Sequence, residues 1–268
     1  MNLPKHTWLI VSAISTGLLL AGCDTTPLDE TRQWTPEKIY SEAKEEAASG
    51  NYEKATKLYE RLEGRAAGTV LAQQAQIERA YLLWKSGEKA QSLSTLERFI
   101  KLHPTSPAFD YALYLRGLVN FNDDLGFLGG LSGQDLAERD QQAARDAYQS
   151  WKQLVEQFPQ SAYADDARLR MNYIVNSLAA YEVHVAQYYF RRGAYVAAAN
   201  RAKQTVQEYQ QSPSTEEALF IMAQSYDRLN LGQLRDDAER VLKQNYPNTK
   251  LDVASLGANK KSRWWQLW

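Results

Sequence analysis

Residues Gly50–Glu63 read "GNYEKATKLYERLE", with Gly50, Tyr52, Ala55 and Tyr59 at offsets 0, 2, 5 and 9. Upstream, Thr35-Pro36-Glu37 supplies an N-cap, a proline at the first helical position and a first-turn acid. A helix therefore begins there and stops at Gly50, since glycine takes the left-handed conformation that closes helices. Downstream of the glycine, residues recur at the spacing of one helix face. The stretch is a helix–turn–helix hinge.

The hinge recurs. "GAYVAAANRA" (Gly193–Ala202) repeats the glycine, the tyrosine and the first alanine at the same offsets, with Ala202 at the last. Shorter relatives stand at Ser86–Pro104 and Leu231–Pro247. The glycine ends one helix, the aromatic, where it is present, wedges the turn, and a small residue lets the paired helices approach. The joints between hinges also repeat: "PTSPAFDYA" (Pro104–Ala112) aligns without a gap on "PQSAYADDA" (Pro159–Ala167). In both, proline stops one helix, a serine two residues later can cap the next, and an acid lies in its first turn. Ser214 with Glu217 offers a capping box at the last joint. The pattern resembles the tetratricopeptide repeat, a helix–turn–helix unit of about 34 residues, and Pro213 to Pro247 spans one period.

The expected fold class is all-α, a tetratricopeptide-repeat solenoid of about five units and ten helices over residues 35–250. Two joint-to-joint spacings exceed one period. The third unit carries a glycine-rich insertion near 122–140, and the fourth has no glycine or proline from Ser161 to Arg192. That run reads as one long helix, or as two joined with little break.

Bulk chemistry excludes several classes. With 31 basic and 32 acidic side chains the formal charge is −1, so the basic excess that nucleic-acid binding needs is missing. One cysteine cannot form an internal disulfide. The insertion's "GFLGGLSG" lacks the Gly-Lys-Ser/Thr ending of a phosphate loop. His103 and His184 have no metal-binding spacing, and the paired aspartates are sequence neighbours that point apart on a helix. We identify no catalytic constellation, no cofactor fingerprint and no metal site.

Before residue 35 the chain reads as an address. Lys5 and His6 precede an apolar run from Trp8 to Leu20, too short to span a bilayer but laid out like a secretory signal. Leu20-Ala21-Gly22-Cys23 resembles a bacterial lipobox, which implies removal of residues 1–22 and acylation of Cys23. Several acyl chains on one residue make a stable anchor. Residues 23–34 read as a polar tether. At the other end, residues 251–268 form a basic tail containing Trp264, Trp265 and Trp268. It suits a membrane-interface contact or a cover for an apolar patch on the last repeat.

That leaves surfaces. Stacked hairpins create a groove lined by the first helix of each unit, where Tyr40, Lys44, Tyr81, Trp84, Tyr111 and Tyr114 fall. About half of those aromatics are expected to pack into the core. Aromatics with a few charges suit an extended peptide. In the fourth unit, Arg191, Arg192, Arg201 and Lys203 form a candidate surface for docking an acidic protein face.

Three longer stretches carry a resemblance: "FDYALYLRGLVNF" (Phe109–Phe121), Glu138–Ala167 and "YEVHVAQYYFRRGAYVAAANRA" (Tyr181–Ala202). With the lipobox and the repeats, they resemble the BamD, or competence-lipoprotein, family over Thr35 to Lys250. The resemblance implies a non-enzymatic lipoprotein of the outer-membrane β-barrel assembly (BAM) complex, lipid-anchored in the outer membrane and facing the periplasm. It implies partners too: the last periplasmic domain of BamA at the C-terminal repeats, with Arg201 taking part, and other BAM lipoproteins. It also implies unfolded outer-membrane β-barrel clients at the N-terminal repeats. A scaffold for secretion, pilus or peptidoglycan machinery is the competing reading of the same architecture. Two features depart from the family: Arg65-Ala66-Ala67-Gly68 replaces the usual Arg-Tyr-Pro-Phe-Gly turn, and Asp24 occupies the position that retains enteric lipoproteins in the inner membrane.

Overall fold

A computed structural model describes residues 30–121, 141–253 and 256. Among them are ten α-helices and no strand: α1 Pro36–Ala48, α2 Tyr52–Arg65, α3 Val70–Lys85, α4 Lys89–Leu102, α5 Phe109–Asn120, α6 Gln141–Gln157, α7 Ala164–Arg191, α8 Tyr195–Glu208, α9 Ser214–Arg228 and α10 Gly232–Asn245. They pair in sequence as five units. The signal, Cys23, the 122–140 insertion and the terminal tryptophans lie outside the described residues.

The hinges are one structure made four times. Gly50, Gly87 and Gly193 have φ of 84°, 87° and 75°. At each, the following N–H reaches back five residues to a carbonyl: Asn51 to Glu46, Glu88 to Leu83, and Ala194 to Tyr189, at 2.8 to 3.0 Å. This is the Schellman closure, which needs a left-handed residue. In the fifth unit Gly232 does not do this work. Asn230 takes the left-handed position at φ 57°, Leu231 N–H closes on Tyr226, and Gly232 simply begins α10. Asparagine is the residue that best tolerates that region after glycine.

The joints repeat as well, but the serines are not N-caps. Ser106, Ser161 and Ser212 each accept a hydrogen bond on Oγ from the N–H two residues on, at 3.3, 3.2 and 3.3 Å. Their carbonyls accept from the third residue on, at 3.0 Å each time. This serine turn sets the angle between units before the helix starts. The expected capping box at Ser214 does not form. Ser214 is the first residue of α9, and Glu217 instead accepts a hydrogen bond from Gln187.

At the amino end, Thr35 accepts from Lys38 N–H at 3.3 Å with Pro36 at N1, as the sequence requires. The tether expectation, however, runs too far. Thr31 is 1% exposed, and Arg65 donates to the carbonyls of Thr31 and Trp34, so this stretch is folded onto the first unit. The departed Arg65–Gly68 turn thus keeps its arginine employed in holding the entry strand of chain.

Four apolar clusters run along the array, and each bridges consecutive units. One close seam lies in the third unit. There Trp151 of α6 is fully buried and donates its indole N–H to the Tyr114 carbonyl at 3.1 Å. Gly117 makes this possible, because a Cβ there would stand 2.1 Å from the indole nitrogen. The glycine-free run of the fourth unit is a single helix, the 28-residue α7.

Candidate functional site

First helices of successive units touch one another, α1 with α3, α3 with α5 and α7 with α9. Their shared face is where the sequence placed its aromatics. On α1, Tyr40 and Lys44 are one turn apart, and the Lys44 ammonium lies 5.8 Å from the Tyr40 ring centre. Gln74 of α3 donates to the Tyr40 hydroxyl at 2.5 Å, joining the first two units. On α3, Tyr81 and Trp84 meet edge to face at 6.0 Å. On α5, Tyr111 and Tyr114 both pack on Tyr163 of the next unit, at 5.2 and 4.9 Å.

None of the five expected aromatics disappears into the core. Tyr40, Tyr81, Trp84, Tyr111 and Tyr114 are all partly buried, each with one side against a core cluster. The rings thus share one arrangement: each lies half in, with its other side left uncovered. This is the use of aromatics as both packing and contact surface. Burial pushes the Tyr111 phenol up to about 12, so it stays a neutral donor throughout the physiological range.

Three further residues adjoin these aromatics. Tyr59 of α2 is 1% exposed and forms the floor under Tyr40, at 6.0 Å between ring centres. Tyr163 sits just ahead of α7 and stacks on Tyr114, at an interplanar angle of 20°. Glu78 stands on α3 between Gln74 and Tyr81, partly buried. Desolvation raises its carboxyl above the usual range, with only the Lys44 charge pulling the other way. At the far wall, Asp166 accepts from the Tyr114 hydroxyl at 2.7 Å and from Arg170 at 2.6 Å. Burial lifts the Asp166 carboxyl, but these two donors more than offset it and hold it below its ordinary value.

The basic patch of the fourth unit divides. Arg191, Arg192 and Lys203 are exposed. Arg191 ends α7, where a cation is favoured by the helix dipole, and Arg192 lies over the Tyr188 ring at 5.3 Å. On α8, Val196, Asn200, Lys203 and Gln207 share one exposed stripe. Arg201 belongs elsewhere. Its Nη1 donates at 2.9 Å to Glu182, whose side chain is 3% exposed, while Arg201 itself is 42% exposed. The buried carboxylate raises the guanidinium above its ordinary value. Arg201 thus carries an internal obligation that the other three cations lack.

No described helix is long and apolar enough to cross a membrane, and no described group of histidine, cysteine, aspartate or glutamate could hold a metal ion. His103 packs on Phe99 at 5.1 Å, and His184 is exposed on α7.

Comparison with known proteins adds the following. The model of the family described as YfiO, outer membrane lipoprotein, matches residues 32–242. The outer membrane protein assembly factor BamD of Neisseria gonorrhoeae is 44% identical over 264 residues, covering 97% of this chain and 98% of its own length. BamD of Neisseria meningitidis serogroup A is likewise 44% identical over 264 residues, with the same coverage. BamD of Xylella fastidiosa is 35% identical over 246 residues, covering 91% of this chain and 83% of its own length.

Proposed function

The chain belongs to the YfiO family of outer membrane lipoproteins, and from that premise we propose that it is a non-enzymatic subunit of the machinery that assembles β-barrel proteins into the outer membrane. Its signal, residues 1–22, is removed, and Cys23 carries the lipid that ties it to the periplasmic face of that membrane. The groove on units one to three receives extended segments of unfolded β-barrel clients. Arg191, Arg192 and Lys203 dock the periplasmic part of BamA, and other BAM lipoproteins complete the assembly.

The observation that carries this reading is the row of half-buried aromatics, Tyr40 through Tyr163, running across four consecutive first-helix positions. Such a row offers apolar area at low entropic cost, with hydroxyls to fix orientation. Membrane tethering and a dock on BamA then hold captured clients near the insertion site, which raises their effective concentration there.

Photo-crosslinking tests the groove. With p-benzoylphenylalanine at position 81 or 111, unfolded β-barrel polypeptides crosslink, and with it at exposed position 240 on α10 they do not. Equal crosslinking at all three positions refutes the groove. Co-purification after mild detergent extraction tests the assembly: a β-barrel protein with several periplasmic domains is expected, and recovery of a secretin or pilus subunit instead overturns the assignment.

A further inference from the structure

Glu78 is the sole acidic residue of α3, and among the described residues no hydrogen bond or ion pair reaches its carboxylate. Gln74, one turn before it on the same helix, bonds the Tyr40 hydroxyl, which turns this face of α3 toward a group of tyrosines. Tyr40 comes from α1, Tyr59 from the floor on α2, Tyr81 from the next turn of α3, and Tyr111 from α5. The phenols of Tyr40, Tyr59 and Tyr111 all feel its negative charge, which adds to burial in raising them. Aromatic ring faces are electronegative and offer an anion no stabilisation. A cation is well placed there, drawn by the carboxylate and by the rings together. The chain already shows this preference: the Lys44 ammonium rests over the Tyr40 ring at 5.8 Å and is the one opposite charge acting on Glu78.

We infer that Glu78, with Tyr40, Tyr81 and Tyr111, forms a cation subsite that receives a lysine or arginine side chain of the extended segment lying in the groove. The inference rests on the groove reading above and adds to it the side chain that the groove selects. A half-buried, unpaired carboxylate costs the free protein stability. An incoming ammonium or guanidinium removes that cost by a charge-assisted contact that an uncharged side chain cannot make. Lys44, already over the Tyr40 ring, is then the internal competitor for the site.

The test uses the full chain in detergent and two fluorescein-labelled peptides of about a dozen residues, alternating aromatic and polar. One carries a central lysine and the other norleucine, which keeps the stem and loses the charge. Fluorescence anisotropy should show the lysine peptide binding about tenfold tighter. In Glu78→Gln the two peptides should bind equally, and in Lys44→Met the preference should widen. Tyr111→Ala should weaken both peptides. If the wild-type chain shows no preference while Tyr111→Ala still weakens both, the cation subsite is refuted and the groove stands. A preference that persists in Glu78→Gln also refutes the subsite, placing the cation elsewhere. If Tyr111→Ala leaves both affinities unchanged, the groove reading itself has failed.

Discussion

Replacing Arg201 with alanine strands Glu182. The carboxylate is 3% exposed on α7, and its partner Arg201 Nη1 lies 2.9 Å away. Removing one member of a fully buried ion pair costs about 3–5 kcal/mol, because the remaining charge is left without compensation. Arg201 is 42% exposed, so water already reaches this pair from one side, and solvent screening lowers the figure to roughly 2 kcal/mol. For a chain of this size that corresponds to about 4–8 °C in melting temperature. Circular dichroism melts of wild type, Arg201→Ala and the exposed control Lys203→Ala measure it. The double variant Arg201→Met/Glu182→Leu should recover most of the loss, since a well-packed apolar pair can replace a buried ionic one. The reasoning fails if Arg201→Ala melts with Lys203→Ala, or if the double variant is no better than the single. The outcome governs how docking is tested. Arg201→Glu puts two carboxylates together in the fourth unit, so any loss of BamA recovery would report on folding first. Charge reversal at Arg191, Arg192 or Lys203 isolates the surface.

Three further outcomes follow from the geometry. Gly117→Ala should lower the urea midpoint by an amount equivalent to about 2–3 kcal/mol, because its Cβ meets the buried Trp151 indole; an unchanged midpoint would mean the α5–α6 seam yields freely. Ser212→Ala should cost about 1 kcal/mol while Ser214→Ala costs less, reversing the order that a capping box at Ser214 would give; guanidinium melts rank them. Glu78 has a folded-state pKa raised above its ordinary 4.5 by burial. Its contribution to stability is therefore present below that value and lost as pH rises through the folded pKa. Glu78→Gln should accordingly melt higher than wild type at pH 7, with the gap shrinking toward pH 4. A gap independent of pH would remove the carboxylate as its cause.

The features legible in the sequence are those that residues close in the chain determine. A glycine hinge, a proline stop and a serine turn each close over five residues or fewer, so Gly50, Gly87 and Gly193 announce themselves. Asn230 does not, because glycine is the usual residue at such a position and Gly232 stands two residues away. Likewise Ser212 was passed over for Ser214, whose spacing to Glu217 mimics a capping box. Contacts between units were hidden for a different reason. Tyr114 and Asp166 are separated by 52 residues and Arg116 and Ser150 by 34, distances over which no local pattern operates. One long-range feature did leave a trace. Glu182 stands on the α7 face that otherwise reads Leu178, Ala179, Val183 and Ala186, and a charge on an apolar face requires a partner. Arg201 is that partner.

The long α7 gives the two surfaces a fixed relation that neither the repeats nor the comparisons would suggest. Its amino end supplies Asp166 and Arg170 to the groove wall, directly after the Tyr163 that stacks on Tyr114. Its carboxyl end carries Tyr188, Arg191 and the adjoining Arg192 of the basic surface. A 28-residue helix rises 1.5 Å per residue, so about 40 Å of continuous backbone separates them. An ordinary unit would have broken this span with a turn, and a turn is where repeat arrays bend. Replacing the turn with unbroken helix transmits the position of one end to the other. On the proposed reading, a client segment beside Tyr114 would be held at a set distance from a partner docked on Arg191 and Arg192. On that reading, Asn176→Gly, which loosens the helix at an exposed position without moving its buried residues, should leave peptide binding and BamA co-purification intact while slowing β-barrel assembly in reconstituted proteoliposomes; unchanged assembly would refute the coupling.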